Sequence, residues 1–301
     1  MLSVLVPIYN RDVRTLVQGL EKQLAESGIP YEIILTDDCS TDEYRMLNSS
    51  LRNIQHLIYI DNDINMGRAK VRNFLAEQAQ NPYLLFIDCD ATIIDGQYVR
   101  RYLSAIEKMK KFDEFVINGG VAYRNEKPES EYHLRWLYGR RCEQTPASRR
   151  NLRPYHHFTP FNVVITKKTF QHIWFDELLT TYGNEDTLFG YQLKADNIPY
   201  LHIDNQLYHD GLDSNKDYLR KVEVAIDNLE YIVNRNDNDA FYLEDNLLLR
   251  TYHRCKHLGL KKPLVFIFKT SGRKMQRKLF KKPNLVLLDL YKLTYLATKN
   301  I

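Results

Sequence analysis

Along residues 1 to 213, short apolar runs rich in β-branched and aromatic residues alternate with longer stretches of helical period. The runs at 2–8 (LSVLVPI), 31–36 (YEIILT), 54–60 (IQHLIYI) and 83–88 (YLLFID) predict strands, and helices are expected near 11–27, 41–50, 67–80 and 95–111. That alternation is the pattern of a mainly parallel sheet covered by helices, an α/β architecture. A further strand is expected at FNVVI, then a helix near 185–196 and a short strand near 199–204. Residues 124–160 show no clear period and predict a long loop or lid beside an acceptor site. From about residue 214 the pattern is helical to the end, so two parts are expected, 1–213 and a helical extension at 214–301.

Polar residues gather where the strands stop. Asn10, Asp37, Asp38, Asp88 and Asp90 all fall at or just after predicted C-terminal strand ends, where open α/β sheets bind ligands. In the triplet Asp88-Cys89-Asp90, a spacing of two along extended chain turns both carboxylates to one side. Such a pair can hold Mg²⁺ or Mn²⁺ together with substrate phosphate oxygens, although an isolated D-x-D is more often a solvated turn. Cys89 faces the other way and reads as core. A second acidic pair, Glu185 and Asp186, lies where a Gly-containing turn enters a helix. A carboxylate within reach of an acceptor hydroxyl can take its proton as a bond forms, and Asp186 is the candidate for that base. The same acids could instead serve only to favour a helix N-terminus.

Charge separates the two parts. Residues 250–301 carry fourteen Lys and Arg against the single acid Asp289, a net of +13, which leaves −9 of the overall +4 on residues 1–249. An acidic body argues against nucleic acid as its partner, whereas a basic tail suits an anionic surface. Within the tail, basic clusters alternate with the apolar runs LVFIF and LVLLDLYKL, which predicts peripheral attachment to an anionic membrane; packing of those runs on protein is the competing expectation. No apolar run reaches the length of a spanning helix and no signal peptide is visible. The four cysteines lie far apart without a C-x-x-C pair, against a zinc site or disulfide framework, and a cytoplasmic setting is expected.

Five segments occur in a telling order: V-P-I-Y-N at 6–10, E-I-I-L-T-D-D-C-S-T-D at 32–42, N-M-G-R-A-K-V-R-N at 65–73, D-C-D at 88–90 and G-N-E-D at 183–186. Over about residues 1–213 the chain resembles glycosyltransferase family 2, departing from the common pattern at Val71, where Ala is frequent. The resemblance implies a GT-A fold, with the sugar nucleotide lying across the strand ends and the sugar transferred with inversion. By position it implies that Asp38 accepts a hydrogen bond from the base and that Pro7 and Tyr9 shape the base and ribose pocket. Arg68 would lie near base or diphosphate, and Asp88 would bridge ribose and metal-bound water. Asp90 and His209 would hold the cation, Glu185 would orient the acceptor or the base Asp186, and Asn162 would touch the donor sugar. Arg72, His156 and His157 read as solvated or loop residues.

The implied reaction moves a sugar, with a UDP-sugar favoured, to a hydroxyl of a saccharide or lipid-linked acceptor. Two other readings compete. A sugar-phosphate nucleotidyltransferase would carry a Gly-rich N-terminal loop with Arg and Lys, which V-P-I-Y-N-R-D is not. A non-catalytic nucleotide-sugar-binding module would have no reason to keep both acidic pairs.

Overall fold

The run LSVLVPI forms β1 (Leu2–Ile8), and only Pro7 within it is not fully enclosed. Such continuous burial requires cover on both faces, which the alternate residues make visible. Leu2, Val4, Val6 and Ile8 join one core cluster, Leu5 the opposite one. The same alternation runs through β2 (Tyr31–Asp37) and β4 (Tyr83–Ile87): Ile33, Leu35, Leu85 and Ile87 face one side, Ile34, Leu84 and Phe86 the other. On the first face lie α1 (Arg14–Ser27), through Leu16, Val17, Leu20 and Leu24, and α4 (Tyr98–Met109). The second is covered by α3 (Arg68–Gln78) and α8 (Glu185–Ala195), with Leu75, Phe189 and Leu193 among the contacts. Each such fully buried Leu, Ile or Phe contributes about 1.5–3 kcal/mol.

With β3 (Leu57–Asp61), β6 (Val116–Asn118), β8 (Asn162–Thr166) and β9 (Tyr200–His202), the sheet has seven strands in the order β3-β2-β1-β4-β8-β6-β9. Only β8 runs against the rest. A small second sheet, β5 (Ala91–Thr92), β10 (Leu207–His209) and β7 (Val121–Ala122), places His209 opposite Ala91. The short helices α2 (Asp42–Asn48), α6 (Ala147–Arg150) and α7 (Lys167–Phe170) complete this part. The mixed α/β architecture with a mostly parallel sheet between helices is the one the apolar pattern predicts.

The computed structural model describes residues 1–179, 181–235 and 246–301. The chain divides into two compact units, Met1–Tyr123 with Glu143–Thr180 and Glu185–Gly211, and Arg124–Cys142 with Thr181–Asn184 and Leu212–Ile301. The stretch 124–160 is therefore not one long loop. Its first half belongs to the second unit and contains α5 (His133–Tyr138); its second half belongs to the first and holds α6 and a 3₁₀ turn at Pro154–His157. The segments are too short for helical periodicity to register in sequence.

The second unit is helical: α9 (Asn215–Arg235), α10 (Leu247–His257), α11 (Lys261–Lys281) and α12 (Leu285–Ala297) accompany α5. The helix expected across 236–245 lies outside the described residues. Side chains of Asn246 and Asn284 cap α10 and α12 by accepting from Leu249 N and Leu287 N. The apolar runs divide between inside and outside. Leu264, Leu279, Leu288, Tyr291 and Leu296 are buried, and Phe268 packs on Tyr291 and Tyr295 at ring separations of 5.6 and 5.3 Å. Phe266 and Val286 stay exposed at 66% and 78%. On α11, Lys262, Lys269, Arg273, Lys274, Arg277, Lys278 and Lys281 are also exposed, and the helix contains no acid. Among the described residues, no helix is long and apolar enough to cross a membrane.

Candidate active site

The parallel strands bring their C-terminal ends to one edge, and local hydrogen bonds set the turns there. After β1, Asn10 takes φ 48°. Its amide donates to Ser40 Oγ at 2.8 Å, and its Oδ1 accepts from Thr41 N at 2.9 Å, which ties the ends of β1 and β2 together. Asp37, fully buried, accepts from Ser40 N at 2.7 Å and from Tyr59 Oη at 3.2 Å. The neighbouring Asp38 accepts from Met66 N at 2.7 Å, Gly67 N at 3.1 Å and Asn62 Nδ2 at 3.2 Å. A carboxylate has about four acceptor positions, so Asp38 anchors the 62–67 loop and keeps about one position for a further donor. Gly67, at φ 82°, then starts α3 with Arg68 in its first turn, and Pro7 and the half-exposed Tyr9 flank the edge.

Two clusters form beside this edge. In the first, Arg72 of α3 is buried, correcting the expectation of a solvated side chain, and its Nη2 lies 2.8 Å from Asp88 Oδ1. The same guanidinium stands 4.0 Å from Glu185 Oε1 and packs over the Phe175 ring. Its Nε has no hydrogen-bond partner among the described residues. Burial pushes the Asp88 carboxyl up, but Arg72 and Arg68 outweigh it and hold the group below the usual range. Next to Glu185 in the first turn of α8, Asp186 behaves in the opposite way: burial, then the neighbouring Glu185 charge, pushes it up to about 6. Thr187 N donates to its Oδ1 at 2.7 Å. Gly183 and Asn184 before the helix both have positive φ, as their residue types foretell.

In the second cluster, the pairing of β5 with β10 sets His209 beside Asp90, with Nε2 3.7 Å from Asp90 Oδ2. The imidazole is held between Tyr123 and Phe161, at ring separations of 5.5 and 5.3 Å. Asp90 Oδ1 and His209 Nδ1 are buried without a hydrogen-bond partner among the described residues. Gly211 keeps the space open: a Cβ there would lie 2.1 Å from Asp90 Oδ2 and 2.7 Å from an Arg11 guanidinium nitrogen. A carboxylate and an imidazole that meet through Oδ2 and Nε2 at 3.7 Å, with Oδ1 and Nδ1 left unsatisfied, are donor types that fit part of the shell of a divalent cation. Among the described residues no three His, Cys, Asp or Glu side chains are gathered as a cation cage. Cys89 between the two acids packs against the core, and burial, then Asp90, pushes its thiol up to about 12.

One expected residue lies elsewhere. Asn162 is fully buried, its Oδ1 accepting from Tyr98 and Tyr102 hydroxyls at 2.7 Å each and its Nδ2 donating to Gly120 O and Asn205 O. With its amide spent on core partners it has nothing to offer a donor sugar. Arg72 is the residue that sequence reasoning passed over; its place one helical turn after Arg68, facing the sheet edge, was the available signal.

A sequence model of Glycosyl transferase family 2 matches residues 3–174, more than half of the chain. The chain belongs to that family. Among curated family relatives, validoxylamine A glucosyltransferase of Streptomyces hygroscopicus subsp. limoneus is 28% identical over 226 residues, 66% of this chain and 49% of that protein. Chondroitin synthase of Escherichia coli is 25% identical over 240 residues, 69% of this chain and 34% of that one. The chain thus spans half or less of the length of these relatives. Among solved structures, Staphylococcus aureus TarS superposes with a TM-score of 0.54 at 20% identity, over 98% of this chain and 54% of that one. Mannosyltransferase PcManGT of Pyrobaculum calidifontis, solved with GDP-Man and Mn²⁺, gives 0.61 at 13% identity, over 99% and 86%. At these identities the likeness concerns the GT-A fold.

Proposed function

We propose that this chain is an inverting glycosyltransferase that moves a sugar from a nucleotide donor, a UDP-sugar in the first instance, to a hydroxyl of a saccharide or lipid-linked acceptor. The observation that carries the proposal is the pairing of Asp90 with His209, each retaining one unsatisfied buried atom, in a unit that also holds Asp186, with its raised pKa, in the first turn of α8. UDP is favoured because TarS structures were solved with UDP and with UDP-GlcNAc.

In this reading the nucleotide lies across the ends of β1, β2 and β4, its base and ribose against Pro7, Tyr9 and Asp38. Asp88, fixed by Arg72, stays ionised for the ribose, and Arg68 adds positive charge near the diphosphate. Asp90 and His209 would hold a divalent cation, Mn²⁺ or Mg²⁺, which supplies positive charge to the departing diphosphate. The acceptor oxygen forms a bond to the anomeric carbon as the bond from that carbon to the diphosphate oxygen breaks, and the acceptor proton passes to Asp186. Glu185, buried and 4.0 Å from Arg72, keeps its neighbour oriented and raises its basicity.

Labelled UDP-, GDP- and dTDP-sugars, each with and without divalent cation, test the reading. A UDP-sugar should be turned over with inversion, and only with the cation present. Full turnover in excess chelator would contradict the role of Asp90 and His209. Pyrophosphate release from a nucleoside triphosphate and a sugar phosphate would point to a nucleotidyltransferase, and donor binding without turnover to a binding module.

The partner surface in this proposal is an anionic membrane, reached from the cytoplasmic side by the exposed basic face of α11 with Phe266 among its cations. Each cation near such a surface contributes about 1 kcal/mol. Full-length protein should co-sediment with phosphatidylglycerol vesicles at low salt, and R273E/R277E should not. Equal sedimentation of the two proteins removes the membrane role.

A further inference from the structure

The second unit contains a hollow of about 830 Å³ that the catalytic proposal does not use. Five cations line it, Lys127, Arg140 and Arg141 from the segment around α5 and Lys281 and Lys282 from the end of α11, and no acid does. None of the five has an acidic ion-pair partner among the described residues. Arg140 is spent in part on backbone, with Nη1 donating to Asn125 O at 3.2 Å, and lies over the Trp136 ring at 5.3 Å. The other four cations are exposed.

Like charges gathered around one concavity repel, and a bound anion relieves that repulsion. Arginine forks match carboxylate and phosphate, while lysines add unoriented charge. Trp136, whose Nε1 donates to Arg124 O at 3.0 Å, is held in place as a flat apolar wall, and Leu137 and Pro283 extend the apolar surface. The size suits a few sugar rings rather than a lone inorganic ion. We infer that this hollow binds an acidic saccharide, an oligosaccharide bearing carboxylate or phosphate groups. The saccharide class rests on the glycosyltransferase reading; the demand for an anion rests on the hollow itself.

Calorimetry on the full-length protein with tetragalacturonate, neutral maltotetraose, and phosphatidylglycerol vesicles tests the inference, with UDP titrated in parallel. Tetragalacturonate should bind about tenfold or more tightly than maltotetraose, and weaken steeply between about 50 and about 300 mM salt. R141S/K282S, altered only at exposed side chains, should lose about tenfold in tetragalacturonate affinity, and K127S/K281S should behave alike, both with unchanged UDP affinity. Equal binding of the charged and neutral oligosaccharides, wild-type affinity in both variants, or a response to vesicles alone would each overturn the inference. Tetragalacturonate binding in a protein that ignores UDP would uphold the hollow and sink the glycosyltransferase reading instead.

Discussion

Two buried arginines in the first unit serve opposite ends. Arg150, at the end of α6, gives every N–H to the protein: Nε to Thr145 O, Nη1 to Asn118 and the His202 ring, Nη2 to Gly119 O and Ile203 O. Around it, Asn162, Tyr98 and Tyr102 are equally saturated, and burial drives His202 down to about 3, so it stays neutral. Arg72 is as deeply buried but points at two carboxylates and leaves Nε unsatisfied, within a site where Asp90 Oδ1 and His209 Nδ1 are also unsatisfied. Burial does not separate these two arginines; the satisfaction of their N–H groups does. A closed polar network fixes one conformation, whereas buried groups with spare valence cost stability that a ligand can return.

The comparison can be broken most sharply at Asp186. Asp186→Asn should lower turnover by about 10² to 10⁴ while UDP affinity is retained, because the amide keeps the shape and cannot take a proton. With the carboxyl at about 6, wild-type rates should rise through that pH as the base ionises, and this limb should vanish in the variant. If rate and affinity fall together, Asp186 is a binding group.

Arg150→Met should cost about 3 kcal/mol or more in denaturant unfolding, since each buried carbonyl left without a donor costs about 1–3 kcal/mol. Asp90→Asn, by contrast, should leave metal-free stability within about 1 kcal/mol of wild type or raise it. A large loss from Asp90→Asn would place that residue with the closed network.

His209→Phe keeps a ring between Tyr123 and Phe161 and should preserve the melting temperature. Cation affinity, read by Mn²⁺ titration, should drop about tenfold or more. A lower melting temperature with unchanged Mn²⁺ binding would make the histidine structural.

The smallest effect is one of pH. The folded pKa of Asp186, about 6, exceeds the reference 3.8, so its contribution to stability is complete below about pH 4 and is lost as pH rises through 6. Asn at 186 escapes that loss, and the gain in melting temperature over wild type should therefore be greater at pH 8 than at pH 4.

Long elements of the first unit were legible because their burial is periodic: β1, β2 and β4 are apolar on both faces, and α1 repeats Leu16, Leu20 and Leu24 inward. The strands β5, β7 and β10 hold two or three residues, too few for any period, and their pairing is what carries His209 to Asp90. The order of motifs pointed to that histidine where local pattern did not. Sequence also could not tell an asparagine at a strand end with free valence from one already committed, and so Asn162 was expected at the sugar and Arg72 in solvent. The split of residues 124–142 from 143–160 was hidden for a related reason, since it depends on contacts distant in sequence.

Gly211 carries a consequence for how this site can vary. The first carbon of any side chain there would stand 2.1 Å from Asp90 Oδ2 and 2.7 Å from Asp90 Cβ, so every substitution must displace the Asp90 carboxylate. Size and polarity are then irrelevant, because alanine, serine and tryptophan share the offending atom. Every codon change that alters the residue is equivalent in this respect, and none is conservative. In a saturation library selected for activity, position 211 should return glycine alone, while exposed Leu152 on the same unit accepts most residues.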